Sequence, residues 1–83
     1  MENIPKLTFA MAKTVRVVRS KAGLTQAQLA DFAGLSRIYI AQLETGDRRA
    51  SLNALILIAK SVGMTTTDLV ALIEQEISGL NKD

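Results

Sequence analysis

Residues 25–46 read TQAQLADFAGLSRIYIAQLETG, and this stretch decides the fold. Thr25 followed three residues later by Gln28 is a capping-box pattern, in which each side chain bonds the backbone amide of the other residue. Ser36, two residues after Gly34, supplies the same N-cap chemistry at the start of a second apolar pattern. The stretch therefore predicts two short helices separated by a turn of three residues.

The turn is too short for the two helices to lie antiparallel, so they must cross steeply, which is helix-turn-helix geometry. Gly34 supplies the positive φ that such a turn requires. On the second helix the spacing directs Ile40 and Leu43 inward, and the outer face then carries Arg37, Ile38, Tyr39, Ala41, Gln42 and Thr45. Arginine bonds guanine and glutamine bonds adenine in the DNA major groove, so Arg37 and Gln42 have the chemistry of base recognition.

The sequence predicts three further helices around this pair, and therefore an all-α fold of five helices. A first helix is indicated by apolar residues at 3–4 spacing up to Gly23, namely Leu7, Met11, Val15, Val18 and Ala22. Ser51 caps a fourth helix that ends near Val62, and Thr65 caps a fifth from about Thr66 to Leu80. A prior of roughly 150 residues per domain makes residues 1–83 a single domain.

The composition excludes several classes of function. The chain has 83 residues, 48% of them hydrophobic and 22% charged, which is ordinary for a globular domain. It has no cysteine and no histidine, which removes disulfides, thiolate chemistry, the usual zinc ligands and imidazole catalysis. The carboxylates form no close pair with a supporting base, so we expect no enzyme, cofactor, metal or small-molecule ligand.

The sequence also predicts a cytoplasmic protein. Its longest apolar run, residues 54–59, falls far short of a membrane span, and the N-terminus lacks a secretory pattern. Residues 1–60 hold nine basic side chains against four acidic ones, a net +5, whereas residues 61–83 hold one against four, a net −3. The basic character of residues 1–60 suits a polyanionic partner, although chance clustering of surface charge explains the asymmetry equally well.

The spacing of these residues resembles the lambda-repressor-like helix-turn-helix family over about Leu7 to Leu72. The resemblance rests on Val15-Arg16, Arg19, Gly23-Leu24-Thr25-Gln26, Leu29-Ala30, Gly34-Leu35-Ser36, Ile40, Leu43-Glu44, Gly46 and Leu57-Ile58-Ala59. Within the family, restriction–modification controller proteins are the most similar, because of Ser36-Arg37, Tyr39-Ile40, residues 47–51 and the long fifth helix. Phage repressors and antitoxin-type regulators share most of the same residues.

The resemblance implies roles for individual side chains. Gln26 is expected to bond a phosphate and brace the recognition helix, while Arg37 and its neighbours enter the major groove. Repressors often carry paired amides where Arg37 and Ile38 stand, so the target bases cannot be carried over. Arg19 and Glu44 match an internal ion pair between the first and third helices.

The expected DNA contacts are those of Thr25, Gln26, Ser36, Arg37, Ile38, Tyr39, Gln42, Arg48 and Arg49. Several of these side chains have a structural alternative. Tyr39 could be a half-buried core aromatic, and Gln42 could bond only within its own helix. Arg48 and Arg49 could be a solvated pair, although their position after the recognition helix favours phosphate. Ile38 could touch a thymine methyl or simply pack.

The fourth and fifth helices predict a homodimer. The fourth is apolar almost all around, so it should be buried on every side. The fifth has an apolar arc wider than one core requires, and a two-fold interface would cover the surplus. Within these two helices the expected interface residues are Leu57, Val70, Ile73 and Ile77.

The function expected from the sequence is therefore a transcriptional regulator that binds an inverted-repeat, double-stranded DNA operator as a homodimer. The leading role is control of a restriction–modification operon, by activation or repression through RNA polymerase. A phage or antitoxin-type autorepressor is the first alternative. A helical protein-interaction module without DNA binding is the second.

Overall fold

The computed structural model describes residues 6–80, which form five helices and no strand. The helices are α1 (Leu7–Lys21), α2 (Gln26–Ala33), α3 (Arg37–Thr45), α4 (Leu52–Ser61) and α5 (Thr66–Leu80). α1 packs against α5 and α3, α2 packs against α3 and α4, and α4 packs against α5. The all-α, five-helix architecture predicted from the sequence is confirmed.

The helix ends follow from local hydrogen bonds. At α2 the Gln28 amide donates to Thr25 Oγ1 at 3.1 Å and the Thr25 amide donates to Gln28 Oε1 at 2.9 Å, which completes the capping box. Ser36 Oγ accepts from the Tyr39 amide at 3.0 Å at the start of α3. Gly34, at φ 69°, ends α2 in the left-handed region, where a side chain would be strained.

One apolar core joins all five helices. Its largest fully buried side chains are Val15, Leu29, Ile40, Leu43, Ile58 and Leu69. Ile40 and Leu43 fix the inner side of α3, as the spacing predicts, and thereby leave the opposite side of that helix at the surface.

In the single chain α4 leaves Leu52 65% and Ile56 40% exposed, so burial on every side would require the expected second copy. One expected interface residue needs correction. Ile73, expected at an interface, is only 3% exposed and belongs to the core of the single chain. A side chain already surrounded by its own chain has little surface left for a second copy. Leu57, Val70 and Ile77 are half-buried.

Within residues 6–80 no single helix is long and apolar enough to cross a membrane. α4 and α5 pass that test only as a pair bent by 108°.

Candidate nucleic-acid interface

The first turn of α3 is presented to solvent. Arg37 is exposed and, within residues 6–80, makes no ion pair or side-chain hydrogen bond. Ile38 beside it is 71% exposed, so it does not pack in the core. Gln42, one turn further along, is half-buried. The exposed start of α3 therefore offers an unpaired guanidinium and an aliphatic group, which can bond a guanine edge and touch a thymine methyl.

Tyr39 links α3 to the start of α4. Its ring is half-buried against the core, and its hydroxyl oxygen accepts a hydrogen bond from the Ser51 amide at 3.2 Å. The hydroxyl proton is not used in that bond and remains able to donate. The structural role and the DNA contact considered for Tyr39 are thus compatible.

Residues 47–50 form the loop that follows the recognition helix. At its start, Thr45 Oγ1 donates to Asp47 Oδ2 at 2.8 Å. Further along, Arg49 Nε donates to Thr8 Oγ1 of α1 at 3.0 Å. The Arg48 guanidinium carbon lies 5.4 Å from the centre of the Tyr39 ring, within the range of a cation–π contact.

An open cleft of about 560 Å³ lies between the start of α3 and the start of α4. It is lined by Leu35, Ser36, Tyr39, Arg48, Arg49, Ala50, Ser51 and Ala54. None of these side chains is acidic, and two carry guanidinium groups. The cleft therefore suits an anion such as a backbone phosphate, which agrees with the expectation for Arg48 and Arg49.

A buried carboxylate holds α1 and α3 together. Glu44, 5% exposed, accepts from Arg19 Nε at 2.6 Å and from Arg19 Nη2 at 2.8 Å. The hydrogen bond to Glu44 raises the pKa of the Arg19 guanidinium, so the guanidinium is charged at any ordinary pH. The ion pair implied by the family resemblance is confirmed.

Gln26 and Arg16 extend this arrangement. Gln26 Nε2 donates to Glu44 Oε1 at 3.2 Å, so the first residue of α2 does brace α3. One N–H of the Gln26 amide remains for a phosphate, and that contact stays a prediction. Arg16 Nη1 donates to the Glu44 backbone oxygen at 3.2 Å, a contact that no local sequence pattern indicates.

Sequence reasoning expected Leu57 at an interface but did not single out the exposed Phe32, Leu52 and Ile56, and we call these four residues the α4 patch. Phe32 is 68% exposed and lines a cleft of about 460 Å³ with Leu57, Lys60 and Ser61. The spacing of residues 52 and 56 puts two aliphatic side chains on one helical face, which was the available signal. Tertiary packing decides which face of such a helix stays exposed.

The part of the chain that the structure describes contains no group of three or more His, Cys, Asp or Glu residues placed to hold a metal ion. The polar side chains at the exposed start of α3 and in the cleft are hydrogen-bonding and cationic groups. Their chemistry is that of binding to an anion or a base edge.

One family model and several known proteins are similar to this chain. A helix-turn-helix family model matches residues 15–69. The control protein C.SmaI of Serratia marcescens is 37% identical over 60 residues, which are 72% of this chain and 71% of that protein. The immunity repressor protein of Bacillus phage phi105 is 32% identical over 76 residues, which are 88% of this chain and 53% of the repressor.

A solved structure is similar over most of its length. It is the restriction–modification controller protein C.Esp1396I, a tetramer in complex with its natural 35-base-pair operator. The superposition covers 86% of this chain and 93% of that one, with a TM-score of 0.77 and 27% sequence identity.

Proposed function

The chain belongs to the helix-turn-helix family, and from that membership and its surface we propose that it is a sequence-specific DNA-binding transcriptional regulator. One observation carries the proposal: the outer face of α3 begins with an unpaired, exposed Arg37 beside a cationic cleft.

The division of labour follows from the geometry. The start of α3 enters the major groove, where Arg37 bonds a guanine, Gln42 an adenine and Ile38 a thymine methyl. Phosphate contacts set affinity and register, and we assign them to Thr25, Gln26, Ser36, Arg48 and Arg49, with the Tyr39 ring supporting Arg48 in the cleft. Thr25 and Ser36 contribute as the caps of α2 and α3. The backbone amides that remain free at these N-terminal ends can donate to phosphate oxygens.

We propose that the regulator acts as a homodimer. The α4 patch is exposed in the single chain, and α5 adds the half-buried Val70 and Ile77 next to the core. Exposed apolar side chains on α4 and on the helix packed against it favour an interface on so small a domain. We therefore propose that residues 1–83 form one domain. In this domain α1–α3 would bind DNA, whereas α4, α5 and the side chain of Phe32 would contact the partner copy.

The proposed biological role is control of a restriction–modification operon, which the relatives C.SmaI and C.Esp1396I support. Bound dimers would recruit RNA polymerase at one site and obstruct it at another, and the cytoplasm is where such a protein meets its operator. A phage-type autorepressor is the second candidate, since the phi105 immunity repressor is also similar. The genes that neighbour the coding sequence distinguish these two roles.

A gel-shift titration tests the proposal. Purified protein is mixed with its own upstream region and, separately, with a random duplex of equal length and composition. A retarded complex at lower protein concentration on the upstream region supports a sequence-specific regulator. Equal, weak retardation of both duplexes contradicts it, and no retardation of either favours a protein-interaction module.

A further inference from the structure

Tyr39 is held in place from three directions. Its backbone amide bonds the Ser36 cap, its ring packs against the core, and its hydroxyl accepts from the Ser51 amide across the cleft. A side chain fixed at both ends has little further freedom to give up on binding, so the Tyr39 ring is a rigid platform in the free protein.

Arg48 contacts the face of the Tyr39 ring. Its guanidinium lies 5.4 Å from the Tyr39 ring centre, and within residues 6–80 it makes no ion pair and no side-chain hydrogen bond. Arg49 differs, since Thr8 of α1 holds it. The two adjacent arginines of the loop are therefore positioned by different elements, one by the recognition helix and the other by α1.

A cation–π contact is electrostatic and consumes none of the N–H donors of arginine. The stacked guanidinium can thus bond a phosphate without first leaving the ring. An arginine already ordered in the free protein also gives up less conformational freedom when it binds, which raises affinity.

We infer that Tyr39 is a positioning residue, whose ring holds Arg48 over the cleft for a backbone phosphate. This inference rests on the proposed function. The ring acts through Arg48, and the hydroxyl serves the junction of α3 and α4. Tyr39 therefore connects the element that reads bases to the loop that anchors phosphate.

A double-mutant cycle on random-sequence duplex tests the inference, because phosphate contacts are independent of sequence. The proteins compared are wild type, Tyr39→Ala, Tyr39→Phe, Arg48→Ala and Tyr39→Ala/Arg48→Ala. Affinities are measured at one low salt concentration and corrected for the folded fraction from circular dichroism. This correction removes the effect of Tyr39→Ala on stability, since its ring also packs on the core.

We expect Tyr39→Ala to weaken binding about two- to fivefold per subunit, the range that an exposed cation–π contact supports. Tyr39→Phe keeps the ring and should bind as the wild type does. In the Arg48→Ala background, Tyr39→Ala should cause no further weakening.

Two results would overturn the inference. Additive effects of Tyr39→Ala and Arg48→Ala would make Tyr39 an independent DNA ligand. Weakening in Tyr39→Phe as large as in Tyr39→Ala would assign the effect to the hydroxyl. Failure of the proposed function is distinguishable from both results, because it shows in the wild-type protein itself, which would bind no duplex or would bind its upstream region no better than random duplex.

Discussion

At the scale of single residues, Arg37 carries the proposed sequence preference. Its guanidinium is exposed at the first turn of α3, so removing it should not disturb the fold. Arg37→Ala should cost about 1–3 kcal/mol per half-site and relax preference at one symmetric base position. The measurement compares affinities for the selected operator, for an operator altered at one base pair, and for random duplex. Equal weakening on operator and random duplex would make Arg37 a phosphate anchor instead.

Arg48→Ala is the matched variant for an anchoring role. Its side chain lines the cationic cleft and not the outer face of α3. The substitution should weaken all duplexes nearly uniformly and lower the slope of log affinity against log salt by about one unit for the phosphate that Arg48 no longer neutralises. Weakening on the operator alone would show that Arg48 reads sequence.

Glu44 has the largest predicted effect on stability. Glu44→Ala leaves the Arg19 guanidinium without its carboxylate in a largely buried position, which should cost about 3 kcal/mol. Glu76→Ala is the control, because Glu76 is half-buried beside an exposed Lys13, and ion pairs near the surface contribute about 0–1 kcal/mol. Urea unfolding of both variants gives the comparison. Similar midpoints for the two would show that the Glu44 pair adds nothing to stability.

Some residues of the site could be predicted from their near neighbours in the sequence, and others could not. The Thr25 and Ser36 caps and the inward Ile40 and Leu43 were predicted, because each depends on neighbours three or four positions away. The bond from the Ser51 amide to the Tyr39 hydroxyl spans 12 positions and needs the loop to fold back, which no local pattern encodes.

At the scale of elements, the turn between α2 and α3 depends on Gly34. Its φ is 69°, and an added Cβ would meet no atom within 4 Å, so any penalty is one of backbone conformation. Gly34→Ala should lower the free energy of unfolding by about 1–2 kcal/mol. Gly79→Ala in helix α5, where φ is not positive, should be neutral or stabilising by up to about 1 kcal/mol. Thermal unfolding measures both, and an unchanged midpoint for Gly34→Ala would contradict the strain.

The helix boundaries were predictable, but the exposed side of α4 was not. Ser51 and Gly63 bracket α4 in sequence, and both lie where the pattern indicated. α4 contains apolar side chains in nearly every direction, so periodicity gives it no preferred inner face. Its contacts with α2 and α5 bury Leu55 and Ile58 and leave Leu52 and Ile56 outside.

At the scale of the whole molecule, the α4 patch predicts self-association. The wild-type chain should sediment at micromolar concentration as a species of about twice its 9.0 kDa mass. Ile56→Lys places a charge in the proposed interface and should give a 9.0 kDa monomer. Val17→Lys, at a side chain of comparable exposure on α1, should leave the dimer intact. A monomeric wild-type protein would contradict self-association. Dissociation of the dimer by both variants would show that the interface is not specific to the α4 patch.

The central claim is that two copies of α3, related by a two-fold axis, read one DNA sequence. Selection of bound duplexes from a random pool tests it most directly. The enriched sequences should form an inverted repeat with half-site centres about 34 Å, or roughly 10 base pairs, apart. A pool without enrichment, or one enriched in a single asymmetric half-site, would contradict the claim.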